Sequence, residues 1–443
     1  MSNQGAGDRG AGDKVEVRDL SAAAVRRARM LLVALIALGL TVRLAMIFVM
    51  PEGRAAPTPD AWANLRIGRS LAAGDGFVLS FEGAGQGAET RPSPRLADRT
   101  PGYPLMVAEA LRMAEQGIRL LTAAQSVIGA VAMALAAYLA WRLAGMWAAA
   151  AAAALLVFDP YQVYACALLL PLVPLGLVLV VLAWTGLRFI DATKQGRRAW
   201  PWAAMAGLFA AAAVYLDWRM AGLPIMVGAV AVFAPGRKRY LAGWAVGLAV
   251  LVAVLAPWVV RNARVVGRPV LTTSLGASLY GGACDVTSPR DVVLKDIHVD
   301  EADRLEETAR DDLYLEATRA VVACDPLKWL GRAAHQWAEI WSPWPAREPS
   351  GLPLPPVAGY TSLLPAGALA LVGAWTLRRR AAVLVWLLAA PVYVTIAGAV
   401  LAGGVEDRLP VAPVLAILGG AGLAAIITRP GDEQRRSAEG QPG

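Results

Sequence analysis

The chain has 443 residues, of which 57% are hydrophobic and only 17% are charged; soluble domains hold about a quarter charged residues, so this composition indicates a lipid environment. The net charge of +8 comes from basic residues in short segments between apolar runs, a pattern typical of membrane topology that gives no support for nucleic-acid binding. Three cysteines and two histidines are too few for a disulfide framework or a structural zinc site.

Apolar runs predict an all-α, polytopic membrane protein with about ten transmembrane helices, since about 20 apolar residues cross the hydrocarbon core. The third, fifth and sixth of these runs are short. The predicted spans cover residues 31–50, 119–141, 146–160, 164–187, 200–216, 220–235, 240–259, 361–377, 381–402 and 410–428.

The positive-inside rule orients these spans. With the N-terminus in the cytoplasm, each inward connection carries at least one Lys or Arg, as in the arginine run at 378–380. The residues before the first span are too many and too mixed in charge for a cleavable signal peptide. We therefore expect both termini in the cytoplasm. The expected parts are a tail at 1–30, an N-terminal bundle at 31–259 with an outer loop at 51–118, an extracytoplasmic segment at 260–360, C-terminal spans at 361–428 and a second tail at 429–443.

The first outer segment begins with a capped helix. Thr58 suits the N-cap position, with Pro59 at the first helical position and Gly74 after the last turn. Asp60 then lies in the first turn, where the helix dipole favours its ionised form. Farther along, the prolines and glycine of residues 99–104 predict a rigid turn back toward the membrane.

The second outer segment predicts two amphipathic juxtamembrane helices. Apolar residues recur every four positions from Leu305 to Val321, and Asp325 suits the cap of a second, tryptophan-bearing helix. Both helices are expected along the membrane surface, with the tryptophans at the headgroup level. A single bridge between Cys284 and Cys324 stays open, because the sequence does not show their separation.

Charged side chains near the membrane are the candidates for chemistry. The chain has no phosphate-binding P-loop, dinucleotide fingerprint, nucleophile elbow or zinc-protease helix. Asp217 and Arg219 lie between two short apolar runs, where charges usually pair or face a cavity. Arg43, inside the first span, either does the same or extends its charge to the outer surface.

Four stretches together resemble the GT-C superfamily of polyprenol-dependent glycosyltransferases, in particular the protein O-mannosyltransferase-like group that includes the lipid A aminoarabinose transferases. The matches follow the family's order and span most of the chain. They are Asp60 with its helix ending at 71–77, the RTPGYP turn at 99–104, the PWVVRN stretch at 257–262 with Gly267 and residues 274–280, and the RLPVAP stretch at 408–413.

The resemblance implies a GT-C-like fold and an inverting hexosyl- or pentosyltransferase. Such an enzyme moves a sugar from a polyprenyl-phosphate donor to a lipid, glycan or protein acceptor. Asp60 would act as general base or orient the acceptor, while arginines would stabilise the charge on the departing phosphate. The residues implied to bind the donor phosphate are Arg99, Arg219 and Arg408, and those implied to line the substrate cavity are Tyr103 and Asp217.

The resemblance also implies a setting. The composition favours a bacterium, so the expected location is the inner (cytoplasmic) membrane, with an extracytoplasmic site, undecaprenyl phosphate as the carrier and membrane lipids as partners. No cofactor or metal ligand is assigned; use of a divalent metal stays open, although the residues do not support it. Many relatives have acidic residues at the position of Ala61 and in the outer turn where this chain reads LLLPL at 168–172.

Simpler roles stay open beside the catalytic ones. Asp60 alone suits a helix first turn, Arg99 and Arg408 suit lipid-headgroup contacts, Asp217 and Arg219 suit an ion pair, and Tyr103 suits packing at the turn. At the level of the whole protein, the alternatives are a transporter or lipid flippase, and a catalytically silent homologue in envelope biosynthesis. An internal repeat, which transporters tend to show, is absent from the sequence.

Overall fold

The computed structural model describes residues 22–50, 55–56, 58–80, 94–233, 236–284, 302, 305–343, 357–401 and 403–427. The tails and residues 81–93, 285–301 and 344–356, with His298 and Trp344, lie outside the described residues. The described part is helical, apart from an isolated bridge between Leu79 and Arg95. The helices are α1 (Ala22–Val49), α2 (Pro59–Ala73), α3 (Gly102–Met113), α4 (Gly117–Ala144), α5 (Met146–Val157), α6 (Pro160–Ala165), α7 (Leu172–Lys194), α8 (Trp200–Leu216), α9 (Leu223–Phe233), α10 (Arg237–Val265), α11 (Leu275–Ala283), α12 (Glu307–Cys324), α13 (Pro326–Ile340), α14 (Val357–Leu377), α15 (Ala381–Val400) and α16 (Ala412–Ile427), with 3-10 helices at Trp218–Gly222 and Val405–Val411.

The apolar helices match the predicted spans in number and order. Seven are long and apolar enough to cross a membrane: α1, α4, α7, α10, α14, α15 and α16 with the 3-10 helix before it. The shorter apolar helices α5, α8 and α9 occupy the three places where the sequence runs were short. The prediction of an all-α, multi-pass membrane protein is confirmed.

Two boundaries differ from the prediction. The fourth span was expected from residue 164, but α7 begins at Leu172, because Pro171 directly precedes it and favours a helix start. The turn predicted at residues 99–104 is shorter than expected, because residues 102–113 form helix α3, with Pro101 as its N-cap residue. Pro104 is tolerated there because the first turn of a helix has N–H groups without intrahelical partners.

Small residues let the central helices approach closely. Every alanine from 148 to 153 on α5 is buried, and α5 packs against α1, α4 and α16. On the other side of α16, Gly422 faces the backbone carbonyl of Leu369, and Gly373 faces that of Leu418. Since lipid gives no hydrophobic drive for helix association, such close backbone packing is what joins α14 to α16.

Replacing Gly422 with leucine should disrupt the α14–α16 contact. A Cβ at this position would lie 2.1 Å from the Leu369 carbonyl oxygen, so the backbones must separate, and overpacking of this kind costs about 1–3 kcal/mol or more. We expect a lower thermal unfolding midpoint in detergent. Gly367→Leu on α14 is the matched control, because a Cβ there meets open space; equal losses in both variants would contradict the packing account.

The outer elements begin at the caps that the sequence predicts. The Thr58 hydroxyl accepts a hydrogen bond from the Ala61 N–H at 3.0 Å, and Gly74 follows the last residue of α2 in the left-handed region with φ of 93°. At α13 the Asp325 carboxylate accepts from the Lys328 N–H at 2.9 Å. These caps fix where α2 and α13 start, and therefore which turn Asp60 occupies.

Arg43 is buried inside the bundle, with 2% of its surface exposed. Its guanidinium donates to the carbonyl oxygens of Gly39 and Leu156, each at 3.0 Å, and Leu156 is in the last turn of α5. The alternative that this charge extends to the outer surface is wrong; Arg43 instead donates to a carbonyl of its own helix and to one at the C-terminus of α5, where positive charge is favourable. The structure has no disulfide bond between Cys284, which is buried, and Cys324, which is exposed.

Candidate functional site

The loop at 94–100 is held by the second outer segment. Glu307, on the first turn of α12, accepts hydrogen bonds from the backbone N–H groups of Leu96 and Ala97 at 2.7 and 2.8 Å. It also accepts one from the Thr273 hydroxyl, and only 8% of Glu307 is exposed. A buried carboxylate needs such donors, and here two of the three belong to the other outer segment, so Glu307 joins the two segments.

Asp98 extends this attachment toward the arginine that follows it. Its carboxylate lies 3.1 Å from Arg95 and 3.3 Å from Arg310 of α12, and its backbone oxygen accepts from the Thr272 hydroxyl at 2.7 Å. The loop backbone is thus fixed at three successive residues, 96 to 98. The backbone that leads into Arg99 is therefore held in a fixed position.

Arg99 reaches back to the first turn of α2. One of its terminal nitrogens donates to Asp60 Oδ1 at 2.6 Å, and its Nε lies 3.5 Å from Asp98 Oδ2. That Nε is buried and makes no hydrogen bond within the described residues. The Arg99 side chain as a whole is 27% exposed.

The Asp60 carboxyl is exposed by 56% and ionised. The neighbouring positive charge of Arg99 is the main cause that lowers its pKa, against a smaller opposing effect of burial. Because the pKa is lowered in the folded state, the pair stabilises the protein at neutral pH and loses this contribution only as the pH falls through that lowered value. Asp60 is available as an anion, but a weakly basic one.

Arg219 forms a second ion cluster beside the first. It lies 2.8 Å from the Asp217 carboxylate and 2.7 Å from that of Asp407, so the predicted Asp217–Arg219 pair is present. Tyr393 of α15 donates from its hydroxyl to the Arg219 carbonyl. Gly102, three residues after Arg99, packs closely against the backbone of Tyr215, two residues before Asp217, so the two clusters lie near each other.

Glu406 and Asp407 belong to this site, and the sequence reading did not assign them. Both lie in the first turn of the 3-10 helix Val405–Val411. Asp407 accepts hydrogen bonds from Arg219 and from the Gly404 N–H at 3.1 Å. Glu406 is half-buried, and the charges of Asp407, Arg219 and Asp60 act on it. The available signal was a pair of acidic residues at the start of an apolar span, where charges are costly.

Two of the predicted site residues point elsewhere. Arg408, 4% exposed, donates to the carbonyl oxygens of Ile340 and Ser342 at 3.0 and 2.8 Å and so holds the C-terminal end of α13. Tyr103, 1% exposed, donates to Gln125 Oε1 at 2.8 Å inside the bundle. The structure thus brings Asp60, Arg99, Asp217 and Arg219 together and gives Arg408 and Tyr103 supporting contacts in the fold.

An apolar groove between α13 and α15 runs beside the charged site. Its lining side chains are exposed on the outside, with Leu330 at 53%, Trp337 at 54% and Ile396 at 57%. Helix α15 also carries Tyr393 and Gly398, which contact Arg219 and Asp407 on the site's side. The groove is lined by Leu330, Ala333, Ala334, Trp337, Trp341, Val392, Thr395, Ile396, Ala399 and Val400.

The described part of the chain contains no cluster of side chains suited to coordinate a metal ion. Within it, no group of three or more His, Cys, Asp or Glu side chains is arranged to hold a metal ion. The carboxylates of the site are instead engaged by Arg99 and Arg219.

The fold is similar to that of solved membrane proteins. The chain matches the archaeal oligosaccharyltransferase AglB from Archaeoglobus fulgidus, in complex with an inhibitory peptide and a dolichol-phosphate, with a TM-score of 0.55 and 14% identity over 94% of this chain and 52% of that one. It matches the same organism's oligosaccharyltransferase, tethered with an acceptor peptide, with a TM-score of 0.55 and 14% identity over 93% and 50%. ArnT from Cupriavidus metallidurans, bound to undecaprenyl phosphate, gives 0.41 and 15% over 93% and 80%, a score too low to carry an argument.

The likeness concerns the fold. The chain spans about half the length of the oligosaccharyltransferases it matches. No family model matches the sequence, and no curated protein matches it either. The chain shares its fold with the matched half of these oligosaccharyltransferases and is a multi-pass membrane protein, as the sequence predicts.

Replacing Glu307 with glutamine should loosen the loop that carries Arg99. An amide offers one acceptor oxygen where the carboxylate serves three donors, and lost hydrogen bonds to a charged group are worth about 1.5–3 kcal/mol each. We expect lower thermal stability and faster hydrogen exchange at the amides of residues 96 and 97, measured by mass spectrometry. Glu316→Gln, an exposed position on the same helix, is the control; unchanged exchange in Glu307→Gln would contradict the attachment.

Proposed function

We propose that this protein is a membrane glycosyltransferase that moves a sugar from a polyprenyl-phosphate donor to an acceptor hydroxyl or amine, with inversion at the sugar carbon. The observation that carries the proposal is the adjacent pair of ion clusters around Arg99 and Arg219, next to an exposed apolar groove. A lipid-linked donor has both chemistries, an anionic phosphate and a long apolar chain. The shared fold with an oligosaccharyltransferase that binds dolichol-phosphate supports the same class.

In this proposal the donor phosphate binds between Arg99 and Arg219. The side chains of Arg99 and Arg219 are 27% and 25% exposed, and a planar guanidinium suits phosphate oxygens. As the bond between the sugar carbon and the phosphate oxygen breaks, negative charge grows on the phosphate, and fixed cations stabilise it. Arg408, which the sequence predicted for this role, instead contacts the C-terminal end of α13.

Asp60 faces the acceptor in this proposal. Its Oδ2 makes no hydrogen bond within the described residues, and more than half of the side chain is exposed. Arg99 fixes the position of the carboxylate at 2.6 Å, so Asp60 is able to accept a hydrogen bond from an incoming hydroxyl or amine and aim it at the sugar carbon. The outward-facing side of a bacterial inner membrane, with cytoplasmic termini, is the setting that the positive-inside pattern supports.

The apolar groove between α13 and α15 supports a place for the prenyl chain. Its walls are apolar, its outer side is open, and the helix α15 that forms one wall also contacts Arg219 through Tyr393. A chain lying in it would keep the phosphate end beside the arginines. Because lipid competes with the groove for the chain, close packing rather than the hydrophobic effect would set the affinity.

The Asp60→Asn variant tests the proposed enzyme directly. We expect purified protein in lipid nanodiscs to transfer sugar from a polyprenyl-phosphate donor, and the variant to lose about 100-fold or more of the rate, since orientation is worth at least that much. Asp75→Asn, exposed on the same outer segment, should keep the wild-type rate. A wild-type protein that transfers none of the common lipid-linked sugars to water, lipid, glycan or peptide would overturn the proposal and favour the silent homologue.

Shortening Leu330 tests the groove. Leu330→Ala should raise the KM for a donor with a full-length prenyl chain by about 2- to 5-fold, because only packing energy is lost within lipid. The KM for a donor with a two-isoprene chain should not change. Leu371→Ala, on the exposed face of α14, is the matched control, and equal effects on both donors would place the chain elsewhere.

A further inference from the structure

The carboxylate that orients the acceptor is poorly suited to take its proton. Asp60 is bonded to Arg99 at 2.6 Å, and that neighbouring cation lowers the pKa of its carboxyl. A general base is effective when its pKa approaches the working pH, and lowering the pKa weakens it. A different carboxylate in the site is therefore better suited to accept the proton.

The two carboxylates around Arg219, those of Asp217 and Asp407, are already held in ion pairs. Asp217 accepts from the Arg219 side chain and backbone, and Asp407 accepts from Arg219 at 2.7 Å and from the Gly404 N–H. Each has arginine as an ion partner, which favours the charged form and opposes proton uptake. Neither is free to accept a proton from a substrate without first breaking an ion pair.

Glu406 differs from all three. It forms no ion pair with Lys, Arg or His within the described residues, and it is half-buried rather than enclosed. The charges that face it are those of Asp407, Arg219 and Asp60. Unlike Asp60, Asp217 and Asp407, it is therefore not held in its charged form by a direct ion pair with an arginine of the described part of the chain.

Local backbone makes room for this side chain. Gly404 has no Cβ, and a Cβ built there would lie 2.7 Å from Glu406 Oε2. The Glu406 carboxyl thus folds over Gly404 at the start of the 3-10 helix Val405–Val411. This position keeps it beside Asp407, the residue that pairs with Arg219 at 2.7 Å.

We propose that Glu406 is the group that accepts the proton of the acceptor, while Asp60 orients it; this rests on the proposed glycosyltransferase function. In the step, the acceptor oxygen or nitrogen forms a bond to the sugar carbon, and its proton passes to the Glu406 carboxylate. The bond from the sugar carbon to the phosphate oxygen breaks, and its electron pair leaves on the polyprenyl phosphate. Glu406 then returns the proton to water.

The test is the pH dependence of transfer by Glu406→Gln, measured in nanodiscs with a polyprenyl-phosphate sugar that the wild type uses. We expect kcat to fall by about 100-fold or more, a loss typical of general-base removal, with an unchanged KM for the donor. The residual rate should lose the acid-side decline that the wild type shows. Asp60→Asn should lower kcat but keep that decline, and Glu406→Asp should restore part of the rate.

Gly404→Ala is the second variant, because it keeps the glutamate and displaces its carboxyl. Its kcat should also fall, while its thermal unfolding midpoint stays close to that of the wild type. Wild-type kcat and an unchanged pH profile in Glu406→Gln would overturn the assignment of Glu406 and leave the glycosyltransferase proposal standing. A wild type without transfer would overturn both.

Discussion

The Glu307 carboxylate is the interaction on which the candidate site depends. It lies on α12, in the second outer segment, and accepts hydrogen bonds from two successive amides of the loop that belongs to the first. Because the carboxylate is buried, breaking this contact leaves an unsatisfied charge, so the two segments separate only at a considerable energetic cost. The position of Arg99, and through it that of Asp60, follows from this attachment.

In the same site, the positive charges near the membrane are compensated by carboxylates. Arg99 lies between Asp60 and Asp98, and Arg219 lies between Asp217 and Asp407, so each cation is shared by two carboxylates. An anionic phosphate that binds either arginine has to compete with those carboxylates, which favours a ligand able to use both cations at once. Arg43 and Arg408, by contrast, satisfy carbonyls at the C-terminal ends of α5 and α13 and stabilise the fold around the site.

Much of the architecture could be predicted from the sequence, because lipid imposes simple rules on helix length and charge. The caps at Thr58 and Asp325 were also predictable, since capping is decided by neighbouring residues. Long-range pairing was not: nothing local distinguishes Arg408, which holds α13, from Arg219, which lies in the ion cluster. Glu307 and Asp407 were missed for the same reason, because their partners lie far away in the chain.

The most direct measurement is a structure of the protein in lipid nanodiscs with bound polyprenyl phosphate. The account predicts that the phosphate lies within hydrogen-bond distance of Arg99 and Arg219, that the prenyl chain enters the groove between α13 and α15, and that Arg408 keeps its bonds to Ile340 and Ser342. A phosphate bound at another face of the protein, with the Asp60–Arg99 pair untouched, would contradict it.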